Sequence, residues 1–105
     1  MNNRFIQFQI NAPTEKEAGK TIDELLKKRL VSGTTIMPSK SKFWWKGKID
    51  EENYYIIYGF SVAKNKQKII KETKKYHSDE VPGIIFWEID ANDDFLEWIK
   101  ENTKS

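Results

Sequence analysis

The sequence predicts an α+β domain: a four-stranded antiparallel sheet in the split-βαβ order, with two helices on one face and a further helix at the C-terminus. Three observations lead there. The hydrophobic period alternates between two and about 3.6 along the chain, in the order β-α-β-β-α-β-α. A long hairpin is centred on Lys42-Phe43-Trp44-Trp45-Lys46-Gly47-Lys48-Ile49. Its second arm carries Tyr54-Tyr55-Ile56-Ile57-Tyr58, a bulky run without alternation. A strand with one face in water would alternate, so this one is expected to be covered on both.

The first strand is Phe5–Ile10, with Ile6, Phe8 and Ile10 on one face and Phe5 on the other, as suits an interior strand. Asn11-Ala12-Pro13 is expected to end it. Thr14-Glu15-Lys16-Glu17 reads as a capping box, in which the Thr14 hydroxyl accepts from the Glu17 amide and the Glu17 carboxylate reaches back to the Thr14 amide. Ala18, Ile22, Leu25, Leu26 and Leu30 then recur at helical spacing, and Gly33 reads as the stop. The hairpin arms are predicted at Thr34–Trp45 and Lys48–Ser61, turning at Lys46-Gly47, where glycine tolerates the positive φ of a two-residue turn. Asn65 reads as the cap of a second helix running from Lys66 to about Tyr76, with Ile69, Thr73 and Tyr76 turned inward. His77–Gly83 is a loop and Ile84–Ile89 the last strand. Asn92 reads as the cap of the third helix, whose first turn holds Asp93 and Asp94 and whose apolar stripe is Phe95, Trp98 and Ile99. From Glu101 onward the chain is expected to fray. Both crossovers should be right-handed, which leaves the two long helices on one face and the other face bare in a monomer.

Composition narrows the function. The 105 residues form one domain, 1–105, with 18 Lys+Arg against 16 Asp+Glu and a net charge of +2. That balance argues for neither nucleic acid nor an acidic membrane as partner. There is no cysteine, hence no disulfide, thiolate metal site or cysteine nucleophile. Met1-Asn2-Asn3-Arg4 leads into the first strand without a signal-peptide core, and no stretch approaches the roughly 20 apolar residues of a membrane span. A cytoplasmic protein is the expectation.

His77, Asp79 and Glu80 are the one His/carboxylate cluster, able to offer imidazole nitrogen and carboxylate oxygens to a divalent cation such as copper or zinc. The same residues also read as a polar turn between helix and strand. Trp44 and Trp45 fall on opposite faces of their strand, and suit either ligand stacking or anchorage of a subunit interface. With Tyr54, Ile56 and Tyr58 they make up the predicted interface. The basic run Lys64–Lys75 suits a phosphate, but equally a solvated helix face. Asp50, Glu51 and Glu52 suit a basic partner, or serve as edge charges that discourage strand pairing. One histidine, no Gly-framed serine and no phosphate-binding glycine loop leave no catalytic set, so the expectation is a protein that is not an enzyme.

In their order and spacing, Arg29-Leu30, Trp44-Trp45-Lys46-Gly47-Lys48-Ile49 and His77…Glu80-Val81-Pro82 resemble the CutA divalent-cation-tolerance family. The likeness runs from Phe5 to about Ile99. It implies the ferredoxin-like fold shared with the PII signalling proteins, and a homotrimer whose sheets meet around a threefold axis while each hairpin reaches a neighbour. It also implies a link to copper and other divalent cations, or to a small ligand in the clefts between subunits. The alternative is a PII-like signalling module that addresses a protein target without metal. The sequence departs from the family pattern in three places. Val31-Ser32-Gly33-Thr34 stands where a cysteine usually follows the Arg-Leu step, which removes the best soft-metal ligand. His77-Ser78-Asp79-Glu80 replaces a His-Pro-Tyr-Glu, and Phe60 stands at a usual lysine.

Overall fold

Strand β1 (Phe5–Ala12) lies in the middle of the sheet, and alternate residues along it are buried. In this computed structural model, which describes residues 4–104, it is followed by α1 (Glu15–Lys27), β2 (Gly33–Trp45), β3 (Lys48–Val62), a 3₁₀ turn at Ala63–Asn65, α2 (Lys66–Lys74), β4 (Gly83–Ile89) and α3 (Asp93–Asn102). Met1-Asn2-Asn3, the lead-in to the first strand, lies outside the described residues, as does Ser105. The strand order is β2-β3-β1-β4 with every pairing antiparallel, as the split-βαβ reading requires. No helix among the described residues is long and apolar enough to cross a membrane.

Ile6, Phe8, Ile10 and Ala12 of β1 point to the helix-covered face. Phe8, Ile10 and Ala12 pack there with Ala18 and Leu25 of α1, Ile57 of β3 and Ile69 of α2. The opposite pleat carries Thr35 and Met37 of β2, Ile56, Tyr58 and Phe60 of β3, Gln7 and Gln9 of β1, and Ile85 and Trp87 of β4, as the register dictates. Helix α3 covers one corner of this second face. Phe95 meets Phe60 edge-on at 5.0 Å, and a Cβ on Gly33 would touch the Trp98 ring. The rest is open in the protomer: Met37 is 52% exposed, Ile85 46% and Trp87 38%. The Tyr54–Tyr58 run therefore lacks alternation because its odd positions lie under helices and its even positions lie on this open face.

Several local expectations are corrected. Strand β1 continues to Ala12, because Asn11 and Ala12 still pair with Ile56 and Tyr55. Helix α1 is stopped by Arg29 rather than Gly33. Arg29 takes a positive φ of 56° while the Leu30 amide donates to Leu25 O at 3.0 Å and the Arg29 amide to Leu26 O at 3.0 Å. That pair of bonds is a Schellman cap, with arginine where glycine is usual. Gly33 instead opens β2. Helix α2 ends at Lys74, short of Tyr76.

Asn65 stands at the α2 cap position, but its side chain makes no capping bond. Its side chain is buried and donates to Leu30 O at 3.0 Å and Lys104 O at 2.9 Å. The tail does not fray at Glu101, since α3 runs to Asn102 and the Lys104 amide donates to Arg29 O at 2.8 Å. Asn92 stands at the α3 cap position, but its side chain makes no capping bond; its carbonyl accepts from the Phe95 and Leu96 amides.

Candidate ligand cleft

The hairpin projects from the sheet and gives the protomer a long axis of 46 Å against 24 and 21 Å. At its turn both Lys46 (φ 50°) and Gly47 (φ 81°) are left-handed, the backbone of a type I′ turn, whose twist suits the flanking strands. Pairing runs unbroken from Gly33↔Phe60 to Trp45↔Lys48. Alternation along these arms sets Phe43 and Trp45 on the same face as Asp50, Glu52 and Tyr54.

Facing them is the loop between α2 and β4, fastened at its start. The expected capping box forms by half. Thr14 Oγ1 accepts from the Glu17 amide at 3.1 Å, but the Glu17 carboxylate, instead of the Thr14 amide, accepts from the Thr14 hydroxyl at 2.9 Å and, from the loop, the Ser78 amide at 2.6 Å and the Ser78 hydroxyl at 3.1 Å. Burial alone would raise the Glu17 carboxyl. The Ser78 and Thr14 bonds, with His77 nearby, outweigh it and hold the group below its ordinary value of 4.5.

Between hairpin and loop lies a cleft of about 730 Å³, on the same side of the sheet as the open face. Phe43, Trp44, Trp45 and Tyr54 line it from the hairpin, and Asp79 and Glu80 from the loop. The Tyr54 hydroxyl donates to Asp79 Oδ2 at 2.8 Å and ties the two walls together. Its phenol is pushed up to about 12, by burial first and then by that bond and the charges of Asp79, Glu52 and Asp50. Lys46 Nζ stands 3.5 Å from Glu80 Oε1 and 5.5 Å from the centre of the Trp45 ring.

The structure thus brings Trp44, Trp45, Tyr54, Asp79 and Glu80 to one cavity, while Ile56 and Tyr58 lie beyond it on the open face. The His77 ring is engaged differently. Its Nδ1 accepts from the Asp79 amide at 3.2 Å, so Nε2 carries the hydrogen and donates to Asn11 O at 2.6 Å. Both ring nitrogens are spent on backbone. Among the described residues no three His, Cys, Asp or Glu side chains converge as metal ligands. The bonding between Glu17 and Ser78 and between Tyr54 and Asp79 was not foreseen from the sequence; nothing local to either pair signals a partner so distant along the chain.

The family model for the CutA1 divalent ion tolerance protein matches residues 6–102. Over 96 residues the chain is 32% identical to a divalent-cation tolerance protein CutA from Archaeoglobus fulgidus, covering 90% of this chain and 94% of that one. A protein of the same name from Pyrococcus horikoshii is 31% identical over 97 residues, covering 88% and 91%. The solved structure of the periplasmic divalent cation tolerance protein CutA from Archaeoglobus fulgidus superposes with a TM-score of 0.92, covering 95% of this chain and 99% of that one at 31% identity.

Proposed function

The chain belongs to the CutA1 divalent ion tolerance family, and from that membership we propose that it acts as a homotrimeric binding protein rather than an enzyme. The observation that carries this reading is the open sheet face. Met37, Ile56 and Tyr58 on β2 and β3, and Ile85 and Trp87 on β4, form an apolar surface there that α3 leaves uncovered, crossed between them by Gln7 and Gln9 of β1. Patches of this kind mark interaction sites, and a closed cyclic assembly buries the same patch on every copy. Trp44, 72% exposed at the hairpin tip, is then free to reach a neighbouring subunit, and the clefts beside Trp45 and Tyr54 come to lie next to the subunit boundary.

The family's cation enters this reading with a restriction. A copper or zinc ion would draw on His77, Asp79 and Glu80, yet within one protomer these do not fit a chelate. The imidazole is bonded on both sides, Asp79 holds Tyr54, and Glu80 stands against Lys46. A divalent ion at this cleft therefore needs ligands from a second subunit. The experiment is mass in solution followed by calorimetry. Three chains of 12.4 kDa give about 37 kDa, and a mass of one chain sinks the assembly. Micromolar copper or zinc giving no heat with the trimer intact removes the cation and leaves a different ligand. The exposed Trp44 also favours a second reading, a PII-like module whose hairpins address a protein target. Recovery of one stoichiometric partner, lost on Trp44→Ala, would favour it.

A further inference from the structure

The cleft is built for a different kind of cation from the one the family's name suggests; this rests on the reading above that the cleft is a ligand site. Its walls are aromatic on one side and acidic throughout. Asp50, Glu52, Asp79 and Glu80 line it against one lining lysine, Lys42. Asp50, Glu52 and Asp79 have no cationic partner within salt-bridge distance among the described residues. These carboxylates come from one strand, β3, and from the loop facing it, and do not converge as metal ligands, so they create a negative field without forming a coordination sphere. A small divalent ion is held by several oxygens closing around it and sheds its water reluctantly. A large, weakly hydrated organic cation has the opposite needs: an aromatic face for its charge and carbons, and carboxylates at hydrogen-bond range.

The chain supplies its own example of that grip. Lys46 places an alkylammonium 5.5 Å from the centre of the Trp45 ring and 3.5 Å from Glu80 Oε1. We infer that the cleft takes an organic monocation, an alkylammonium or alkylguanidinium group, lying on Phe43 and Trp45 with its charge towards Asp50, Glu52 and Asp79, and that Lys46 competes with it at the rim. The raised phenol of Tyr54 agrees with the negative field this requires, since the Asp79, Glu52 and Asp50 charges all contribute to it after burial.

The test is titration of the intact protein with n-butylguanidinium chloride, followed through the indole N–H resonances of the four tryptophans. Saturable shifts are expected at Trp44 and Trp45, with Trp87 and Trp98, outside the cleft, unmoved. Butanol, and potassium chloride at equal ionic strength, should leave all four in place. Glu52→Gln should weaken binding roughly threefold, and Lys46→Asn should tighten it by a similar factor. Asparagine tolerates the left-handed turn position, so the second variant keeps the hairpin. The inference is overturned if neither the native protein nor Lys46→Asn saturates by roughly tens of millimolar, if butanol shifts the same resonances equally, or if Lys46→Asn weakens binding. Because the cleft lies within one protomer, the titration reads out whatever the mass. A one-chain mass with saturable binding removes the trimer alone, and a trimer without binding removes this inference alone.

Discussion

Gly59 sits on β3 directly opposite Phe8 and Thr34, and a Cβ there would run into the Phe8 ring and stand 2.7 Å from the Gly33 carbonyl oxygen. Backbone cannot yield as a flexible side chain can, so Gly59→Ala should destabilise by about 2–3 kcal/mol, read as a fall in the urea midpoint. A glycine inside a strand is a general sign of close approach, and that signal stood in the sequence unused. Asn65 is a different case. Nothing in its neighbours distinguishes a helix cap from a buried bridge. Its amide joins Leu30 to Lys104, and those carbonyls reach it only once β3, the α1 terminus and the C-terminal tail have packed. His77 likewise reads as a metal ligand from composition and as a loop fastener once Asn11 and Asp79 surround it.

At the level of elements, α1 and α2 are joined by a buried carboxylate. Glu72 of α2 accepts from Lys28 Nζ at 2.7 Å and from Lys75 Nζ at 3.0 Å. The Lys28 bond first, opposed by burial and aided by Lys75, holds its carboxyl below the ordinary 4.5. A carboxyl whose folded pKa is depressed contributes stability above its unfolded value and loses it as pH falls through the folded one. The urea midpoint should therefore drop from about pH 5 downward, and Glu72→Gln should be less stable at pH 7 with a flatter acid limb. Glu17 acts with the same sign, so the limb should flatten without vanishing. A midpoint unchanged by Glu72→Gln at pH 7 would mean the pair adds nothing. The element boundaries themselves were readable to within one or two residues, because caps, turns and periodicity are local properties. The Arg29 stop was not, since here the Schellman pair holds an arginine in the place of the usual glycine.

For the whole molecule, one face of the sheet is filled by α1 and α2, and the other is covered only at the Phe60 corner by α3. A charge in the middle of the open part should keep the protomer folded and prevent it from associating. Ile56→Asp, opposite Met37 and Asn11 on that face, should lower the mass from about three chains to one while the far-ultraviolet dichroism is kept. A variant that elutes with the native protein would place the assembly surface elsewhere.

The sequence by itself determined which segments are helices and which are strands, the antiparallel order they assume, the hairpin turn at Lys46-Gly47, and the presence of an aromatic face that its own helices do not fill. Those features follow from side-chain period, backbone preferences and turn chemistry within a few residues of each position. Only the tertiary structure decided where the polar groups are spent: Glu17 on Ser78, Tyr54 on Asp79, Asn65 on Lys104, and the His77 ring on two backbone groups. Each polar group takes whichever partner packing places within about 3 Å, and sequence periodicity carries no information about contacts between segments so far apart in the chain.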